Sequence, residues 1–222
     1  MARWDPGTEE RLTRAALELY TEHGYDNVTV TQIAERAGIT RRSYFRYFPD
    51  KREVLFAGSE RLPAAIHEAV LDARPAASPL SATLEALAQV GGTLVEHLDR
   101  TAERRAVIAS SPELQERERT KSAAVTGAIH DALLRRGVDD GSAKVDEESA
   151  RLVAQIATIA LQNAFDRWID AHGRKDFASC LHTVAASLLD ALTAAVEPSR
   201  SERRDGLVEE DVEIVRRTAG PP

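Results

Sequence analysis

The chain has 222 residues, is 43% hydrophobic and carries a formal net charge of −7, which is enough apolar matter for one large or two small domains. At first sight the acidic total argues against a nucleic-acid partner, and the single cysteine, Cys180, excludes an intrachain disulfide. Cys180 lies in an apolar helical pattern and reads as a small buried hydrophobe. The first residues lack the apolar run of a signal peptide, and no stretch reaches about 18 uninterrupted apolar residues, so a cytoplasmic protein with no membrane span is expected.

Alternating apolar and polar runs are absent, while apolar residues recur at helical spacing along most of the chain. A first helix opens near Thr8, a plausible cap, places Leu12, Ala15, Ala16, Leu19 and Tyr20 on one face and ends at Gly24. A short helix capped by Thr29 or Thr31 then presents Ile33 and Ala34 inward. Gly38 stands where the chain turns sharply, a position for positive φ. Thr40 caps a second short helix that carries Arg41, Arg42, Ser43, Tyr44, Arg46 and Tyr47 and stops at Pro49. A fourth helix is expected from Lys51, with Val54, Leu55 and Phe56 inward, kinked or restarted at Pro63.

A linker at 74–79 follows, and then helices over about 80–98, with Gly91 and Gly92 in its interior, and over 102–109. Ser111-Pro112-Glu113 opens a helix running to Arg136, a loop follows at 138–142, and two long helices span about 146–171 and 175–196. Residues 199–222 are charged and poorly periodic and read as a flexible tail, in which 207–215 could coil transiently. The fold class expected is all-α with about nine helices, divided into a head at 1–55, a larger body at 56–197 and a tail at 198–222.

The two short helices around Gly38 form a helix-turn-helix pattern. Donors and flat rings crowd the second helix, as reading base edges and gripping phosphates requires. Charge supports this locally. Residues 28–52 hold Arg36, Arg41, Arg42, Arg46, Lys51 and Arg52 against Glu35 and Asp50, so a basic footprint sits on an acidic body. Arg41 and Arg42 are placed to read bases, and Arg46, Tyr47 and Lys51 to hold phosphates. Thr29, Thr31, Thr40, Ser43 and Tyr44 complete the candidate DNA-binding set.

The segment from Thr29 to Lys51 resembles the DNA-binding signature of the TetR family of transcription regulators. The likeness rests on Ile33-Ala34, Ala37-Gly38-Ile39, Tyr47-Phe48 and Lys51, and its strong part covers about the first 60 residues. The chain departs at Phe45, where the family usually has Tyr; one phosphate-contacting hydroxyl is absent there, and neighbouring Tyr44 is the residue expected to compensate. Arg42 to Lys51, Ser111 to Leu114 and Ala164 to Trp168 are also similar to the mycofactocin-regulator-like branch, whose members are thought to sense acyl-CoA-like ligands. The resemblance implies a DNA-binding repressor acting as a homodimer on a pseudo-palindromic operator, released by a small apolar effector, with no cofactor and no enzymatic activity.

In the body, the last two helices are apolar around more than one face, which demands more than one neighbour. Ala157, Leu161, Ala164, Trp168, Val184 and Leu188 are the expected dimer contacts, completing a four-helix bundle with a second copy; ordinary intrachain core is the other reading of the same pattern. Leu87, Gly91, Gly92, Leu94, Thr158 and Gln162 are the expected effector pocket, because the paired glycines leave room among apolar side chains. Arg151, Gln155, Thr158, Gln162 and Asp166 also form one stripe that reads more simply as a solvated face, and His97 as a partly exposed helix residue.

The six histidines show no metal-ligand spacing, and neither a phosphate loop nor a nucleophile elbow is present. A helical interaction or small-molecule-binding module that never meets DNA is the alternative reading.

Overall fold

The computed structural model describes residues 7–73, 78–96, 100–139 and 145–196. Among them are nine α-helices and no strand: α1 Thr8–His23, α2 Val30–Arg36, α3 Arg41–Tyr44, α4 Leu62–Leu71, α5 Pro79–Val95, α6 Thr101–Ala109, α7 Pro112–Asp139, α8 Glu147–Asp170 and α9 Phe177–Val196. The expected linker at 74–77, His97 and the tail 198–222 lie outside the described residues. The chain forms two compact units, residues 1–182 and 183–222, so that α9 begins in the first and its described end belongs to the second.

Local chemistry explains most boundaries. Thr29 caps α2 in a reciprocal capping box with Gln32, Ser78 caps α5 through the Ser81 amide, and Asp146 caps α8 through Ser149. Thr8 does not cap: Gly7 precedes it, and Thr8 is the buried first residue of α1, where its hydroxyl accepts from Arg11.

The stretch after Lys51 differs from the expected single helix. Glu53–Phe56 and Ser59–Arg61 are tight 3-10 turns separated by Gly58 in the left-handed region, φ 79°. α4 starts only at Leu62, with Pro63 in its first turn, where the missing amide costs no hydrogen bond. Pro63 therefore begins a helix and kinks none.

One apolar core joins α1, α2, α3 and Val54-Leu55-Phe56 to Val107 and Ile108 of α6 and Leu114 of α7. The head is thus built onto the carboxyl end of α6 and the amino-terminal end of α7. In the body, α4 packs along α7, and buried Arg136 of α7 caps the carboxyl end of α4 by donating to the Ala73 carbonyl at 2.7 Å. α8 buries Ala150, Ala154, Ala157, Leu161 and Ala164, a stripe of mostly small side chains that lets α5 and α7 approach closely.

Gly91 makes such a close approach. A Cβ there would stand 2.1 Å from a ring carbon of Phe177, whose buried ring stacks on Phe165 at 4.7 Å between centroids. A Cβ on neighbouring Gly92 meets nothing within 4 Å. Gly92→Ala is therefore expected to stabilise the chain by up to about 1 kcal/mol through helix propensity. Gly91→Ala should destabilise it by a similar or larger amount through overpacking, and thermal melts of the two variants should move in opposite directions.

Candidate nucleic-acid interface

The turn between α2 and α3 is built as its sequence requires. Gly38 has φ 74°, Ala37 and Gly38 amides close the end of α2, and the Thr40 hydroxyl accepts from the Ser43 amide at 3.1 Å to start α3. Past Tyr44 the chain tightens into a turn closed by the Tyr47 and Phe48 amides on the Tyr44 carbonyl, so the second helix is one α-turn with a tight extension.

The side chains of this segment divide sharply. Arg41, Arg42 and Arg46 are exposed, and among the described residues none of them forms an ion pair. Thr29, Thr31 and Thr40 are also exposed, with the Thr29 and Thr40 hydroxyls occupied as caps, while Ser43 and Tyr47 are half-buried. Phe45 is 46% exposed, with the Arg41 guanidinium 5.5 Å above its ring.

Tyr44 and Lys51 take other roles than expected. Tyr44 is fully buried, and its hydroxyl donates to the Asp50 carbonyl at 3.0 Å, so it cannot compensate for the hydroxyl missing at Phe45. Burial raises its pKa well above the ordinary tyrosine value. Lys51 folds inward: Nζ donates to the carbonyls of Tyr25 at 3.0 Å and Val28 at 3.2 Å and lies 4.1 Å from the Tyr25 ring centroid. Lys51 thus ties the loop after α1 to the segment after α3. Lys51→Ala is expected to cost the head about 2 kcal/mol through charge-assisted hydrogen bonds and cation–π contact. A chemical-denaturation curve reads that loss without any DNA present.

The basic patch is consequently narrower than the sequence sum. Arg36 pairs with Glu18 and Glu22, and Arg52 with Asp50 at 2.6 Å and Glu113 at 3.5 Å. Arg52 holds the Asp50 carboxyl below the usual range. Behind the patch, Glu53 meets Arg117 and, at 3.1 Å, Lys121, both on α7. Burial works to raise the Glu53 pKa, but the two cations outweigh it and leave it lowered. A lowered carboxylate pKa contributes stability above the unfolded value that is lost as pH falls through the folded one. Acid should therefore loosen the junction of head and α7 at pH values below the ordinary Glu range, and Glu53→Gln should flatten that part of a pH–Tm curve.

None of the six expected pocket residues lines the groove on the α7–α8 seam, and Leu94 is half-buried. Leu87 is fully buried, the Gly91 notch is filled by Phe177, and Gly92 borders no side chain. Thr158 is buried and shares a 2.9 Å hydrogen bond with Thr126, and Gln162 donates to Ser122, so both staple α8 to α7. A groove of about 390 Å³ lies on the α7–α8 seam instead, lined by Ala123, Gly127 and Ala154 together with the polar and charged His130, Glu147, Arg151 and Gln155. Gly127 is the residue sequence reading passed over; an isolated glycine on a polar face carried no signal of a groove.

Of the expected dimer contacts, Ala157, Leu161 and Ala164 are buried within the chain itself, while Trp168, Val184 and Leu188 are half-buried. The large apolar side chains that α8 leaves exposed are Leu152 and Ile159, and the described end of α9 exposes Leu189 and Leu192. Phe177–Ala195 is long and apolar enough, by length and composition alone, to cross a bilayer, with mean hydropathy 1.3; His182 and Asp190 interrupt it.

Capped helices about a glycine turn, three exposed arginines without an ion pair among the described residues and a body helical in its described parts define a helix-turn-helix transcription regulator. Residues 12–57, the helix-turn-helix head, match the family of bacterial regulatory proteins, tetR family. TcmR of Streptomyces glaucescens, an HTH-type transcriptional regulator, is 40% identical over 86 residues, a stretch that covers 38% of each chain. MftR of Mycobacterium tuberculosis, a regulator assigned to mycofactocin biosynthesis, is 28% identical over 86% of this chain and 88% of its own length. In fold, the chain is similar to FadR from Bacillus subtilis in complex with stearoyl-CoA, with a TM-score of 0.52 at 17% identity over 79% of this chain and 94% of that one.

Proposed function

We propose that the protein is a cytoplasmic, dimeric repressor that binds a pseudo-palindromic operator and leaves it when a small, largely apolar effector binds. The observation that carries the DNA role is the exposed trio Arg41, Arg42 and Arg46, without an ion pair among the described residues, on a capped reading segment. Arg41 and Arg42, early in α3, face base edges, and Arg46 a phosphate. Recovery of bound fragments from randomised DNA tests this reading. Arg42→Ala should weaken the selected site by about 1–3 kcal/mol and relax its base preference. Binding that is neither sequence-selective nor salt-sensitive would point instead to a helical module that does not act on DNA.

Exposed leucines and isoleucine on α8 and at the end of α9 support assembly, because apolar side chains of this size gain by being covered. Two heads on a two-fold axis then read two half-sites. Ile159→Arg and Leu189→Arg should leave a folded monomer that has lost the operator. A wild-type protein that sediments as a monomer at micromolar concentration contradicts the reading.

For the effector, the likeness to MftR over most of the chain and to the FadR fold supports an acyl-CoA-like or other apolar ligand. Its site is the α7–α8 groove, whose Ala123, Gly127 and Ala154 suit an apolar chain and whose Arg151 suits an anionic end. A Cβ on Gly127 meets nothing within 4 Å, so Gly127→Leu fills the groove without disturbing the fold. It should abolish the response to a long-chain acyl-CoA while leaving operator affinity unchanged. A normal response from Gly127→Leu places the effector elsewhere.

A further inference from the structure

Phe45 is the one large hydrophobic residue left exposed before Leu152 among the described residues, and it stands in the reading segment between Arg41 and Arg46. It is also held in place. Its neighbour Tyr44 is fully buried and anchored by its hydroxyl to the Asp50 carbonyl, and the two rings meet edge to face at 5.6 Å and 82°. On the other side the Arg41 guanidinium covers the ring at 5.5 Å. A ring without a hydroxyl cannot grip a phosphate by hydrogen bonding, and leaving it in water has a hydrophobic cost that a partner must remove. The major groove offers an apolar partner at its base edges in one place, the 5-methyl group of thymine.

We propose that Phe45 is a specificity-determining residue that reads a thymine methyl, with Arg41 stacked on its ring and reading a guanine next to that thymine. The stack sets the pairing. A guanidinium lying over an aromatic face still has its in-plane N–H groups pointing outward, and these match the O6 and N7 acceptors of guanine. Restricting Arg41 to the ring face also fixes its donors relative to Phe45, so the two side chains read neighbouring base pairs as one unit. The proposal rests on the DNA-reading role above and goes beyond it in naming the base and the group recognised.

The test uses the full-length protein and the tightest duplex recovered from randomised DNA, with each thymine replaced singly by deoxyuridine, which lacks only the methyl. At one thymine, flanked by guanine, wild type should bind the uracil duplex about fourfold more weakly, since one buried carbon of this size is worth ~0.8 kcal/mol and 1.4 kcal/mol is tenfold. Phe45→Ala, a change at an exposed position, should melt as wild type does and bind both duplexes equally. Phe45→Tyr, which keeps the ring, should restore the preference for thymine. Wild type indifferent to uracil at every position overturns the proposal, as does Phe45→Ala that still prefers thymine. A selection that recovers no preferred sequence overturns the DNA-reading role itself along with this inference.

Discussion

Replacing Tyr44 by alanine is expected to destabilise the head by about 3–5 kcal/mol, the range for removing a buried aromatic side chain. Tyr44 is fully buried against Phe48, ring centroids 5.8 Å apart, in the core that joins α1 to α3. Alanine leaves a void there and frees the Asp50 carbonyl it had satisfied. DNA binding should disappear with the fold of the head. Tyr44→Phe discriminates: it removes one hydrogen bond, worth about 1 kcal/mol, and keeps the packing. Operator affinity should then be unchanged at 25 °C while the melting temperature falls by a few degrees. A large affinity loss in a fully folded Tyr44→Phe protein would return the hydroxyl to the DNA, where the sequence pattern alone had placed it.

Phe177→Ala should cost a similar amount, about 3–5 kcal/mol, because its ring is 1% exposed and fills the notch at Gly91. The two positions are coupled by geometry. Gly91→Leu in the wild-type background drives a side chain into the Phe177 ring and is expected to be strongly destabilising. In the Phe177→Ala background the same leucine enters the vacated space and should recover part of the loss. Denaturation of the four proteins of that cycle should give an interaction energy of at least about 1 kcal/mol. Additive losses would mean that the notch is not filled by that ring in solution.

The helices and their order were legible because the signals are local. Caps at Thr29, one of two candidates, and Thr40, the turn glycine Gly38 and 3.6-residue spacing each depend on a few neighbouring residues, and they lie where expected. What failed was the assignment of faces. Tyr44 and Phe45 are adjacent, carry similar rings and stand equally well in a pattern, yet one is buried and the other exposed, a choice made by how α3 packs on α2 and the shared core. Lys51 likewise counts as a surface cation in sequence, but the carbonyls of Tyr25 and Val28 come from 26 and 23 residues away. On α8 the alanines read as a close-approach surface, as they are, but the helices approaching are α5 and α7 of the same chain. The glycine pair misled for a related reason: a missing side chain makes space only until a neighbour such as Phe177 occupies it.

The break at Gly58 means that no continuous helix runs from the reading segment into the body. Beside that shared core, the carboxylate of Glu53 joins the head to Arg117 and Lys121 of α7, a helix of 28 residues, about 42 Å long, whose next turns line the groove. Such a joint behaves as an ionic clutch and not as a rod. It slips gradually as counterions compete for its three partners, so rising salt should weaken the operator complex twice over, once at the phosphates and once inside the protein. The internal share can be isolated: Glu53→Gln should bind less tightly at low salt yet lose affinity more slowly as salt is added.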